Sequence, residues 1–460
     1  MFLRIELGFL YAVCGLLAQS AASPQRRPPL LVVSFDGFRA DYLQRFPMPN
    51  LTLLYSQGVL VEHLTNVFIT KTFPNHYSLM TGLYAESHGI LASAMYDPVS
   101  HKHFSVGNSS DPMWWNAATP FWISVNQAGY TSAIAMWPGS EVTIRNQTPS
   151  HFLPYNSDVT FQERLSNVTN WILGSEKDEG ALFGALYWEE PDRSGHMFGP
   201  DDTEAMGRAL KDVDDNVGLM ISELKKRGLW GRIDVMVTSD HGMAQCSADR
   251  LIRLDDCLHA DNYTIVDLTP VAALIPNRRP EAVFALLDKC HPNMTAYLKE
   301  AIPDRLHYRN NERIQPILLI ADEGWTIVRR GNKLPRLGDH GYDNSLPSMH
   351  PFLAAAGPSF KKGLRLTSMQ SVDIYPLMCH LLGVPPQPNN GTLGNVLAML
   401  ASADYWSLPV VVGLVLGVLI TLATIPVLFK LVGRVGRPPS LQPFQRLEIE
   451  HSDDDEALLE

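Results

Sequence analysis

The stretch LLVVSFDGFRADY, residues 30–42, is an apolar, partly β-branched run broken abruptly by Asp36 and Gly37. A short continuous apolar run bounded by turn residues reads as a strand buried on both faces, and such strands belong to parallel sheets covered by helices. Two further runs repeat the pattern, ALFGALYW at 181–188 and IDVMVTS at 233–239. Between them, after GPDD, Met206, Leu210, Val213, Val217, Ile221 and Leu224 recur at three- and four-residue steps. That spacing predicts an amphipathic helix capped by Asp202 or Thr203. No internal repeat or low-complexity tract interrupts the chain before residue 400. The expectation is one large α/β domain around a mostly parallel sheet with helices on both faces.

In open sheets of this kind, ligands gather beyond the carboxyl ends of the strands. Here the first run leads into Asp36, the run at 233–239 into Asp240 and His241, and ALYWEEP into Asp192, with His196 following in PDRSGH. A fourth segment, LGDHGYDN, adds Asp339 and His340. One such Asp is often only a helix cap. Recurring at three strand ends and a fourth loop, Asp and His make a thiolate-free donor set suited to Zn²⁺ or Mn²⁺ and too large for one tetrahedral site. Two metals are therefore expected. A binuclear site roughly 4 Å wide suits in-line displacement at phosphorus, and a metal that draws the pKa of water from about 15.7 to about 7 can also hold a Thr or Ser hydroxyl as an alkoxide. The stretch FITKTFPNHYS, residues 68–78, offers Thr70, Thr72 and Ser78 for that part. Beside them Lys71 is either a phosphate neutraliser or a solvated side chain, while His63, His76, His88 and His151 read as structural or surface histidines.

At the N-terminus, Arg4, the apolar run from Leu7 to Leu17 and the small residues Ser20, Ala21 and Ala22 have the layout of a cleavable secretory signal over 1–22. Residues 408–429, LPVVVGLVLGVLITLATIPVLF, carry no charge over 22 positions. That length suffices to cross a hydrocarbon core of roughly 30 Å. Lys430, Arg434 and Arg437 follow it, which predicts a single-pass type I plasma-membrane protein with residues 23–407 outside and the tail 430–460 in the cytoplasm. In that tail Leu458 and Leu459 follow Asp454 in the spacing of an acidic dileucine signal, a partner site for a sorting adaptor. Seven sequons, at Asn50, Asn108, Asn146, Asn167, Asn262, Asn293 and Asn390, all precede the apolar stretch. Cys246, Cys257, Cys290 and Cys379 remain after the signal, and of three connectivities a Cys257–Cys290 bridge is favoured. A net charge of −11 and the lack of a basic stripe argue against a nucleic-acid partner.

Taken together, SFDGFRADY, TKTFPNHYS, TGLYAESHGI, PDRSGH, TSDHGM and GDHGYDN resemble the ectonucleotide pyrophosphatase/phosphodiesterases of the alkaline phosphatase superfamily, over about residues 29–392. The resemblance implies an alkaline-phosphatase-like fold and hydrolysis of extracellular dinucleoside polyphosphates, for example diadenosine triphosphate to AMP and ADP. It further implies Thr72 as the nucleophile of a covalent nucleotidyl-threonine intermediate. One Zn²⁺ would sit on Asp36, Thr72, Asp240 and His241, and a second on Asp192, His196 and His340. Tyr155, in LPYNSD, matches an aromatic residue stacked on the nucleobase, with Phe73 as the opposite wall. In GILASAMYD, residues 89–97, the family places an asparagine donor where this chain has Ser93. Losing one donor to developing oxyanion charge costs roughly 100- to 1000-fold in rate, so a slower enzyme is expected. Two alternatives stand beside this reading: a weakly active or non-catalytic surface recognition protein on the same fold, and a family member preferring NAD-like pyrophosphates. A sulfatase or phosphomonoesterase of the same superfamily would use similar metals, but sulfatases need a C/S-x-P-x-R setting and KTFPNH is not one.

Overall fold

The computed structural model describes residues 27–175, 179–331 and 336–401, and beyond these 413, 416, 417, 419–427 and 430. The chain divides into one unit ending at Ala401 and another beginning at Ser402. In chain order the first unit contributes strands β1 (Leu30–Phe35), β2 (Val59–Thr65), β3 (Ser132–Ala135), β4 (His151–Leu153), β5 (Phe183–Trp188) and β6 (Asp234–Thr238). Then follow β7 (Tyr263–Asp267), β8 (Val271–Pro276), β9 (Met294–Leu298), β10 (Ile317–Ala321), β11 (Leu353–Ala356) and β12 (Leu364–Gln370). The helices that matter here are α1 (Pro49–Ser56), α2 (Thr72–Thr81), α3 (Phe121–Gln127), α4 (Phe161–Leu173), α5 (Asp192–Phe198), α6 (Thr203–Lys226) and α7 (Ile374–Leu382).

Eight strands form the central sheet in the order β12-β2-β11-β6-β1-β5-β3-β4. Strand β1 lies in the middle because it is apolar on both faces. Leu30 and Val32 enter one core, with α2, α3 and α7, while Leu31, Val33 and Phe35 enter the other, with α1, α4 and α6. None of these five side chains is more than 1% exposed. Burial of each is worth about 1.5–3 kcal/mol. Helix α6 starts where its cap residues stand: the Asp202 carboxylate accepts from the backbone N–H groups of Glu204 and Ala205 at 3.2 and 2.9 Å.

The sheet is mixed. Five of its seven neighbouring pairs run parallel, and β11 runs antiparallel to both β6 and β2. The reason is where the chain returns from: β11 pairs its first residue, Leu353, with Thr238 at the carboxyl end of β6, so it enters the sheet at that edge and must run backwards. The excursion between β6 and β11 builds a second sheet, antiparallel, in the order β7-β8-β10-β9. A Cys257–Cys290 disulfide joins the segments that lead into β7 and β9, while Cys246 and Cys379 are buried free thiols. The sequon at Asn50 is not a free surface amide, because its Nδ2 donates to the Asp214 carboxylate and carbonyl at 2.9 and 3.1 Å.

The membrane-spanning helix expected at 408–429 is corrected: among the described residues no helix is long and apolar enough to cross a membrane. The single-pass type I plasma-membrane location rested on that span and falls with it. The expected signal at 1–22, the other residues of 408–429 and the dileucine at Leu458 and Leu459 lie outside the described residues.

Candidate active site

Three strand ends converge at one edge of the central sheet. Strand β1 stops at Phe35 because Gly37 turns the chain with φ of +69°, and a Cβ there would stand 2.8 Å from the Cα of Asp192. Only glycine permits that approach at that φ. It lets the Asp192 N–H donate to the Asp36 carbonyl at 2.9 Å, so the ends of β1 and β5 are joined directly. Beyond β6, the Ser239 hydroxyl accepts from the Phe38 N–H at 2.9 Å and lies 3.2 Å from Asp240 Oδ1, which holds Asp240 beside Asp36. Asp192 opens α5, so His196 one turn later falls on the same face. His340 arrives on the loop after Gly338 and Asp339.

Two donor groups result, Asp36 with Asp240 and His241, and Asp192 with His196 and His340, each with its ligand atoms within 4.8 Å of one another. Backbone carbonyls set the histidine tautomers. His241 Nδ1 lies 2.8 Å from the Gly242 carbonyl, His196 Nδ1 2.8 Å from that of Gly338, and His340 Nδ1 2.9 Å from that of Thr70. A carbonyl only accepts, so each Nδ1 carries the hydrogen and each Nε2 is left with its lone pair. His196 and His340 then face each other Nε2 to Nε2 at 3.2 Å. Burial pushes His196 down to about 4, and burial with the His241 and His196 rings pushes His340 well below the ordinary histidine range. A proton between them is thus disfavoured, and a shared cation relieves the repulsion.

The carboxylates lead to the same conclusion. Asp36 Oδ1, Asp192 Oδ1 and Asp240 Oδ2 are buried without a hydrogen-bond partner among the described residues. Burial, then Asp240 and Asp192, push the Asp36 carboxyl well above its usual range. Asp192 is raised to about 6, chiefly by burial. Asp240 is also driven up by burial, but His241 and His76 outweigh this and hold it well below. Burial would lower His241, yet Asp240 raises it instead. His241 Nε2 stands 3.1 Å from Asp240 Oδ2 and 3.3 Å from Asp36 Oδ1. Converging lone pairs and carboxylate oxygens that lack a hydrogen-bond donor fit divalent cations at both groups.

Thr72 is the first residue of α2, and its Oγ1 lies 3.2 Å from His241 Nε2. It lines two adjoining cavities. One, of ≈ 420 Å³, is walled by Phe73, Tyr155, Trp137 and Tyr187 and reaches Asp36, Asp192 and Ser93. The other, of ≈ 590 Å³, runs past His196 and His340 to Arg336 and Thr326, and Ser93 lines it as well. Thr70 and Ser78 are committed elsewhere: the Thr70 hydroxyl donates to the Tyr342 carbonyl at 2.9 Å, and Ser78 Oγ lies 2.9 Å from His88 Nε2. Phe73 and Tyr155 both line the first cavity, with Tyr155 half-exposed. Asp339, named with His340, stands in neither donor group; its carboxylate accepts from the His340 N–H at 2.9 Å.

Sequence reading did not single out two supporting residues, His76 and Tyr187, and left the part of Lys71 open. His76, set aside as structural, is buried with Nδ1 2.9 Å from the Thr72 carbonyl and 3.3 Å from Asp240 Oδ2, and Nε2 2.9 Å from Ser34 Oγ. Its one signal was the four-residue step from Thr72 along a helix. Tyr187 donates from its phenol to Asp36 Oδ2 at 2.5 Å, a contact set by the pairing of β5 with β1. Lys71 is neither solvated nor free, since its ammonium donates to the Thr269 carbonyl at 2.8 Å and lies 3.7 Å from Asp267. Of the other histidines set aside, His88 is buried and pushed down to about 3 by burial, His63 stacks on His350, and His151 stacks on Trp171.

With this geometry established, comparison with known proteins is specific. Residues 30–343 match the family model described as type I phosphodiesterase / nucleotide pyrophosphatase. The chain is 53% identical over 443 residues to bis(5'-adenosyl)-triphosphatase ENPP4 of Bos taurus, covering 95% of each chain, and 51% identical to its Homo sapiens counterpart, covering 100% of each. A solved murine ectonucleotide pyrophosphatase / phosphodiesterase 5, an inactive threonine-to-alanine form in complex with AMP, superposes with a TM-score of 0.79 at 46% identity, covering 81% of this chain and 100% of that one. The chain belongs to the type I phosphodiesterase / nucleotide pyrophosphatase family, and is a hydrolase of that class acting on nucleotides.

Proposed function

We propose that this hydrolase cleaves dinucleoside polyphosphates such as diadenosine triphosphate into AMP and ADP, with Thr72 as nucleophile and two Zn²⁺ as cofactors. The observation that carries it is the pair of inward-facing Nε2 atoms, His196 and His340, 3.2 Å apart beside a threonine hydroxyl that opens a helix. Asp36, Thr72, Asp240 and His241 would hold one cation, and Asp192, His196 and His340 the other; imidazole and carboxylate donors without thiolate suit zinc. When bound, cations there lower the pKa of a hydroxyl held against them and neutralise charge growing on phosphoryl oxygens. The chain's own groups do the rest. Thr72 Oγ1 attacks the phosphorus that bears the nucleoside, the bond to the bridging oxygen breaks, and the nucleoside diphosphate leaves. His76 Nδ1 donates to the Thr72 carbonyl and steadies the nucleophile's backbone. The Phe73 N–H, in the first turn of α2, has no partner within the helix and is available to a phosphoryl oxygen. Phe73 and Tyr155 take the nucleobase between them. Water then displaces Thr72 and releases AMP.

Relatives named bis(5'-adenosyl)-triphosphatase and a related structure holding AMP support this substrate class. The test is AMP release from diadenosine triphosphate by purified protein before and after chelation. Release is expected to cease with chelator and return with zinc; release indifferent to chelation sinks the reading.

Ser93 lines both cavities and would face the phosphate between them. Its hydroxyl is shorter than an asparagine amide and gives a weaker hold on developing charge. Ser93→Asn is expected to raise kcat by roughly 10- to 100-fold, a part of what one oxyanion donor contributes. Unchanged steady-state turnover would count against a role for this position.

A further inference from the structure

We propose that Tyr187 is a positioning residue for the metal group of Asp36, Asp240 and His241: its phenol holds one oxygen of Asp36 and thereby turns the other toward the group. The proposal rests on the two-cation reading above.

The Tyr187 O–H donates to Asp36 Oδ2 at 2.5 Å, inside the core. Phenols keep their proton at neutral pH, with an ordinary pKa of about 10, so the donor is permanent. The other oxygen, Asp36 Oδ1, has no hydrogen-bond partner among the described residues and lies 3.3 Å from the Nε2 of His241. A carboxylate at a strand end has two side-chain torsions to settle. One short bond from a rigid phenol settles both, provided that the phenol itself cannot move.

That condition holds. Tyr187 pairs with Ser34 in the parallel register of β5 and β1, and its carbonyl accepts from the buried Arg164 guanidinium at 2.9 Å. Its ring also meets His76 edge-on, with centroids 5.2 Å apart, and His76 in turn lies 3.3 Å from Asp240. Both carboxylates of this group are therefore supported by aromatic side chains. The second group shows no such phenol: among the described residues, the ion pairs of the Asp192 carboxylate are with the ligand histidines themselves, each at 3.4 Å. A partner that orients a metal ligand is typically worth 10- to 100-fold in metal affinity.

The asymmetry supplies an internal control. The full chain and its Tyr187→Phe variant would be equilibrated across a series of free zinc concentrations, and bound zinc per chain counted by atomic emission. We expect one of two equivalents to dissociate at about 10- to 100-fold higher free zinc in the variant, with the other unchanged. At limiting zinc its kcat falls, and excess zinc restores it. Two equivalents held as in the unaltered protein overturn the proposal. So does parallel weakening of both, which reports a loosened fold; the melting temperature of the metal-stripped forms identifies that case. Absence of zinc from the unaltered protein would instead sink the two-cation reading itself.

Discussion

Thr72→Ala is expected to abolish turnover of diadenosine triphosphate while leaving the site folded, loaded with zinc and able to bind AMP. Removing a covalent nucleophile costs on the order of 10⁴- to 10⁶-fold in kcat. Neither hydroxyl nearest in sequence replaces it, because that of Thr70 is bonded to Tyr342 and that of Ser78 to His88. The fold tolerates the change, since alanine is the best helix former and Lys71, whose side chain makes no cap bond, already stands at the N-cap. The His241 side chain keeps its carbonyl partner at Gly242. Steady-state kinetics and AMP calorimetry check the two halves separately. Turnover within tenfold of the unaltered enzyme would remove Thr72 from the mechanism, and loss of AMP binding would mean that its hydroxyl holds the product.

What could be read from the chain and what could not divides along a physical line. Asp36, Asp240 and Asp192 were legible because apolar runs announce strands, and the residues that follow such a run within a few positions fall at the sheet's carboxyl edge. His241 and His196 came with them, one adjacent to Asp240 and the other following Asp192 in PDRSGH. The direction of β11 was not legible. Its apolar residues serve a parallel or an antiparallel neighbour equally, and the choice depends on the edge at which the preceding excursion delivers the chain. Tyr187 was hidden for a related reason, as its partner Asp36 lies 151 residues away and meets it only through strand register. His76 carried a helical step from Thr72 but no sign that Asp240 would stand behind it. The apolar stretch at 408–429 shows the opposite error, since composition alone suggested a span that the described helical residues do not form.

His340→Ala tests the second donor group and is expected to be nearly as damaging as loss of the nucleophile. The His340 ring is held from several sides: its Nδ1 binds the Thr70 carbonyl, its Nε2 faces that of His196 and lies 3.4 Å from Asp192, and it stacks on His241 with centroids 3.5 Å apart. Without it, Asp192 and His196 remain as a two-donor remnant, short of the three protein ligands that catalytic zinc sites use. Bound zinc should fall from two equivalents to one. Charge stabilisation by a metal is worth several kcal/mol, so kcat should drop on the order of 10³-fold, with excess zinc recovering little of it. Stability of the metal-free protein should change far less, by about 1–3 kcal/mol for the unpaired Thr70 carbonyl and the lost ring contact. Elemental analysis, kinetics and thermal melts of one preparation separate these effects. Two equivalents of zinc with activity within tenfold would mean that the 3.2 Å approach of His196 and His340 is structural packing alone. Loss of zinc without loss of turnover would instead leave Asp36, Asp240 and His241 as a sufficient, single-cation centre.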